Sequence, residues 1–418
     1  MKQNATVYLP ALLMATIFYF LFRNETPGIN VLIFFLLSSS ALAIITPGML
    51  RLPSVKVTFA AALLAAFFII AFNTDISIIS FWILFGVMIG FAHQSRLRSA
   101  GSALLTTLFG LITSPLSWWN GLEFIGKSSS RASLLLKYLR LSIVPLLVVF
   151  FFFILYSIAD QQFDQVSNQL FTYLFDKLDL FFSYISPDTI IFFIFSLLIS
   201  AAILINRDNQ LVVRQELLQS NMLWRKKSKP TGKSDEIEWW QLFFRKSMRS
   251  LKNEYNRAIM LLIMVNVLLL FVNVVDIKMV WFENVIAASP YSRSQSLHES
   301  TYLLLFSIAI AMCILLFFFR GNINFLRDNK RLQQLSYLWI AQNTFLAFTV
   351  AIRNYYYIRD YGLAYKRIGV IFFLLLILFS LIMLFIKIRD KRSFFYIYKM
   401  ESWAICALLV LMSCFNWD

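Results

Sequence analysis

The sequence predicts an all-α protein, a polytopic transmembrane helix bundle of about 11 spans (about 10–12), with amphipathic helices at the membrane interface. Three observations predict this. Hydrophobic residues make up 59% of the chain and charged residues only 14%, well below the share in a soluble domain. The 44 phenylalanines exceed what a soluble fold of this length can bury. The apolar residues also gather into runs long enough to cross a bilayer, rather than recurring at the period of a half-buried helix or strand.

The runs fall at residues 7–22, 29–46, 57–72, 76–93, 139–158, 188–205, 257–275, 300–319, 335–352, 367–386 and 400–416. The first four form two tight hairpins joined by RNETPG, PGMLRLPSVK and NTD. The opening MKQNATVYLPALLMATIFYFLF lacks a small-residue cleavage site and reads as a retained first helix. Residues 101–138 start apolar, but Pro115 interrupts them short of spanning length. A re-entrant or interfacial segment anchored by Trp118 and Trp119 is expected there, completing an N-terminal unit over 1–138.

The unit 139–205 holds two spans and an outer amphipathic helix at 160–186. In that helix Phe163, Val166, Leu170, Leu174, Leu178, Phe181 and Ile185 recur every three or four residues, with Asp164 and Asp179 off the stripe. The longest polar stretch, 206–256, carries RKKSKPTGK followed by Trp239, Trp240, Phe243 and Phe244 beside Arg245, Lys246 and Arg249. This composition suits a helix on anionic inner-leaflet lipid. Residues 257–418 make up a five-span C-terminal bundle.

Charge sets the expected orientation. With eleven spans and a cytoplasmic N-terminus, 30 of the 38 Lys and Arg fall on the cytoplasmic side. Eight fall outside: Arg23, Lys177, Lys278, Arg293, Arg353, Arg359, Lys366 and Arg367. The bias places the C-terminus outside and the chain in a bacterial cytoplasmic membrane. The net charge of +16 therefore reads as topology, not as nucleic-acid binding, because no basic stretch belongs to a foldable soluble domain. Half of the outer cations sit in one loop, RNYYYIRDYGLAYKR at 353–367, which departs from the rule that the rest of the chain obeys.

Familiar catalytic signatures are missing. There is no GxxxxGK[ST] and no HExxH, and His93 and His298 are the only histidines, so a three-histidine metal centre is excluded. No cofactor or metal is implied. Cys313, Cys406 and Cys414 all lie inside apolar runs and read as small buried side chains. Two outer-side clusters remain, one around His298 and Glu299 and one in the 353–367 loop. Glu299 and Asp360, with tyrosine hydroxyls, are expected to hold Arg353, Arg359 and Arg367 together, beside Tyr361. The cluster reads either as interfacial salt bridges or as a ligand or proton site.

Within the spans, Asn266 and Asn273 are seven apart and share a helix face that continues to Asp276, while Gln342 and Asn343 lie in another span. Such groups usually bond between helices and otherwise line a substrate path. Gly86 and Gly90 in GVMIG form a small-residue packing face.

LHESTYLLLF and RNYYYIRDYGLAYKR resemble signatures of the bacterial membrane family called domain of unknown function 4173. The matched positions are His298, Glu299, Arg353, Tyr361, Gly362, Leu363 and Arg367, with Ala364 in place of the family's Thr. The resemblance covers roughly 255–418 and implies no activity. From the residues, the expected function is permease-like or ligand-sensing, with an outer-face polar site. A membrane-embedded enzyme using Glu299 or His298 on a lipid-linked substrate stands as an alternative. So does a non-catalytic scaffold subunit, and a protein partner or homo-oligomer is left open.

Overall fold

The structure, a computed structural model, describes residues 7–126, 187–205, 210–224, 251–278, 290–326 and 329–416, with Val149 and Gln165 as isolated helical positions. The described residues form twelve α-helices and no strand. In chain order these are α1 (Tyr8–Phe22), α2 (Ile29–Ile45), α3 (Pro53–Phe72), α4 (Asp75–His93), α5 (Ala100–Gly126) and α6 (Pro187–Leu204). They continue as α7 (Gln210–Leu217), α8 (Leu251–Ile277), α9 (Pro290–Phe318), α10 (Lys330–Tyr361), α11 (Tyr365–Asp390) and α12 (Phe394–Ser413).

Six of these helices are long and apolar enough to cross a membrane, namely α3, α4, α8, α10, α11 and α12. The expected count of about eleven is therefore reduced among the described residues. The apolar parts of α1, α2, α5, α6 and α9 are helical but shorter, below the ~20 residues that a bilayer core asks for. The runs at 139–158 and 160–186, and the aromatic stretch 235–250, lie outside the described residues.

Helix ends follow local chemistry. Pro53 opens α3 in the first turn, where its missing N–H costs nothing. Asn73 ends α3 in a left-handed conformation at φ 50°, and the Thr74 hydroxyl then accepts from the Ser77 N–H to start α4. This is how the three residues NTD reverse the chain. Helix α5 runs through Pro115 instead of stopping there. The proline leaves the Leu111 carbonyl without its usual donor, and the Ser114 hydroxyl donates to that carbonyl at 2.7 Å.

Two apolar cores result. The first joins α1–α6 with Cys406 of α12, and Phe18, Phe34, Phe35, Phe81 and Phe85 pack ring against ring within it. Here α4 and α5 approach closely: a Cβ on Gly90 would collide with the Ala103 backbone, and the Thr107 hydroxyl donates to the Gly86 carbonyl at 2.6 Å. The second core joins α8–α11 with the start of α12.

The cores are tied together at one end of the bundle. A His93 ring nitrogen meets the Ile203 carbonyl at 2.9 Å. Glu216 of α7 caps the start of α5, accepting from the N–H groups of Arg98 (2.5 Å) and Ser99 (3.1 Å). The Trp403 indole donates to the Arg98 carbonyl at 3.2 Å, and the Leu223 N–H donates to the Lys391 carbonyl at 3.0 Å. This basic end gathers the chain around 94–99, 210–224, 319–326 and 387–399, including Arg98, Arg320, Lys391 and Arg392.

Candidate functional site

At the opposite end, α8 and α10 carry a line of buried polar side chains. Asn266 and Asn273 recur after seven residues and so face the same neighbour. The Asn266 amide donates to the carbonyls of Leu262 (2.7 Å) and Leu335 (3.1 Å), and the Asn273 amide to that of Gln342 (3.3 Å). Both cross-helix bonds span 69 residues, so α8 and α10 run parallel and in constant register.

Asp276 lies three residues past Asn273, in the last turn of α8, where the helix dipole disfavours an acid. Arg353 offsets this. Its Nη2 lies 2.5 Å from Asp276 Oδ1, with the two side chains 12% and 9% exposed. The pair is separated by 77 residues, against 69 for the asparagine contacts to backbone carbonyls, so Arg353 lies toward the C-terminal end of α10 from those contacts. Its side chain must run back along α10 toward the bundle interior, the direction in which helical side chains lean. The cation is thus drawn inward to the acid instead of outward to water.

Four acceptor oxygens on this line are buried with no hydrogen-bond donor: Asn266 Oδ1, Asn273 Oδ1, Gln342 Oε1 and Asp276 Oδ2. Asn343 is buried beside them and donates to the Trp339 carbonyl of its own helix at 2.8 Å. A run of acceptors at membrane depth suits a proton, a cation or a solute that brings N–H or O–H donors.

Among the described contacts the loop cations have different partners. Arg367 is buried, and its Nη1 donates to the carbonyls of Gly362 and Tyr357. Its guanidinium lies 3.8 Å over the Tyr357 ring and 5.9 Å from that of Tyr361. Asn354 donates to the Arg367 carbonyl at 3.2 Å, and Gly362 turns the chain with φ 78°, a conformation that glycine adopts without strain. Arg367 therefore closes the turn between α10 and α11. Asp360 pairs with its neighbour Arg359 at 3.0 Å, with the side chains 49% and 59% exposed. The described acid on Arg353 is Asp276. His298 and Glu299 fall in α9, and their side chains are outside the described residues.

Other buried charges were not singled out from sequence. Lys387 is fully buried and donates to the Phe319 carbonyl at the end of α9 (2.8 Å), which also accepts from Asn324 at 2.9 Å. Its position one turn before Asp390, inside an apolar run, is the only sequence signal. Glu216 sits in the polar QLVVRQEL, with nothing local to mark it as a cap. Among the described residues no group of three or more His, Cys, Asp or Glu could hold a metal ion.

No match was found among curated proteins, and none among solved structures. One family model, described as a domain of unknown function (DUF4153), matches residues 58–418. This corrects the resemblance drawn from the late motifs: the domain is a different one, and the match takes in most of the chain instead of its C-terminal part. Arginine and tyrosine at helix ends, on which that resemblance rested, are what any membrane helix places at the interface. With the match running from α3 through α12, the chain belongs to the DUF4153 family.

Proposed function

We propose that this is a multi-pass, permease-like protein in which the α8–α10 line forms a closed polar track for a small solute rich in hydrogen-bond donors. Four buried acceptor oxygens without donors support this reading. Interhelical bonding alone would place donors on them, since each orphaned acceptor in hydrocarbon is costly. The Asp276–Arg353 pair then stands at the mouth of the track. By the charge rule, the basic end faces the cytoplasm and the mouth faces outward. The five shorter apolar helices, α5 among them, would bring the crossing set to eleven in a bacterial inner membrane, not counting the run at 139–158 outside the described residues.

Cysteine accessibility tests the track. In a background lacking Cys313, Cys406 and Cys414, Asn266→Cys and Gln342→Cys should react with a water-soluble thiol reagent. Val267→Cys and Leu268→Cys, on the exposed apolar face of α8, should not. Equal inertness at all four positions would leave the amides as interhelical contacts only. The segment 206–256 is proposed to bind anionic inner-leaflet lipid; a peptide covering 235–256 should bind anionic vesicles and be released by salt.

A further inference from the structure

The apolar face between α8 and α9 is concave. A cavity of about 470 Å³ opens there, lined by Leu261 of α8 and by Phe306, Ala309, Cys313, Phe317 and Phe318 of α9 among others, within the range of small-ligand sites. The α9 residues on it recur at helical spacing, while a different stripe, Leu305, Ile308 and Leu315, is buried in the core shared with α10. Helix α9 therefore has two apolar faces, of which one seals the bundle and the other lines an open groove.

The dimensions and the rim identify an occupant. From Phe306 to Phe318 the groove follows about 18 Å of helix, close to the ~15 Å of a single leaflet's hydrocarbon. It ends at the basic end of the bundle, where the guanidinium of exposed Arg320 lies 4.0 Å over the Phe317 ring. Exposed Arg257 sits one turn before Leu261 on the same face of α8. Helix α8 also packs against the turn at Asn322–Phe325, which brings its start beside the chain that follows Arg320. We infer that this groove holds one acyl chain of an anionic phospholipid, with its phosphate at Arg257 and Arg320. Planar guanidinium groups suit phosphate oxygens, and an open apolar groove of leaflet length suits one chain lying along α9. A flat lipid-facing helix would offer neither.

The test adds phosphatidylglycerol or phosphatidylcholine to the full chain in detergent and counts retained lipids by native mass spectrometry. The protein should retain phosphatidylglycerol in preference to phosphatidylcholine. Ala309→Trp, which fills the groove, should lose the bound lipid, while the Arg257→Gln/Arg320→Gln double variant should lose only the preference. Equal retention of the two lipids by the unaltered chain, or unchanged phosphatidylglycerol retention in both variants, would overturn the assignment. Cys313 gives a second readout that needs no variant. Phosphatidylglycerol should slow its alkylation by N-ethylmaleimide relative to phosphatidylcholine, and equal rates would count against the site.

Discussion

The helices up to α6 and those from α8 to α11 bury different chemistry at similar depth. In the first group the core is phenylalanine, alanine and branched aliphatic side chains; serines and threonines such as Ser38 and Thr58 bond back to their own helix, while the Ser39 and Ser80 hydroxyls are buried without a partner. In the second group Asp276, Arg353, Arg367, Lys387, Asn266, Asn273 and Asn343 are buried or nearly so. Not all of these are alike. Arg367 and Lys387 are held by backbone carbonyls at helix ends, whereas the α8–α10 line keeps acceptors without donors. Packing explains the first region and the end caps of the second. It does not explain the line.

Substitutions sharpen this contrast. The largest effect is expected at the ion pair. Asp276→Asn or Arg353→Gln alone should destabilise the fold by about 3–5 kcal/mol, because the remaining charge is left buried without its partner. The double variant should cost little more than either single change; simple additivity in unfolding measurements would show that the two residues are not coupled. In the other region, Gly90→Val drives a side chain into the Ala103 backbone and should cost about 1–3 kcal/mol. Tolerance there would mean that α4 and α5 have freedom to separate.

Asn266→Leu has a smaller expected effect. It removes a cross-helix bond worth about 0.6–2 kcal/mol together with an orphaned acceptor, so stability should change by less than about 1 kcal/mol. A large loss of stability would recast Asn266 as interhelical glue. Smallest of all, Arg359→Gln breaks an exposed pair with Asp360 and should shift stability by no more than about 1 kcal/mol.

Hydropathy made the helical fold legible, and the caps at Pro53, Asn73 and Thr74 follow the turn chemistry of NTD and its neighbours. The length of α5 was hidden, because a sequence pattern does not show that Ser114 rescues the carbonyl freed by Pro115. The seven-residue spacing made the shared face of Asn266, Asn273 and Asp276 visible. The pairing of Arg353 with Asp276 was not, because it depends on α8 and α10 being parallel neighbours, which the sequence pattern does not show. Loop charges suggested one cluster with Glu299 and Asp360. Backbone carbonyls and a tyrosine ring, which charge counting ignores, hold Arg367, and the Glu299 side chain lies outside the described residues.

The contrast between the regions is tested most directly by placing one cysteine in each, in a chain lacking native cysteines. Ser77 in α4, whose hydroxyl donates to the Thr74 carbonyl, and Asn273 in α8 are both buried polar positions near the same end of helices long enough to span. A water-soluble thiol reagent added to intact cells should label Asn273→Cys and leave Ser77→Cys unmodified, if the α8–α10 line admits water from the Asp276 side as proposed. Labelling at neither position, with both variants folded, would contradict the account and reduce the polar track to a dry contact between two helices.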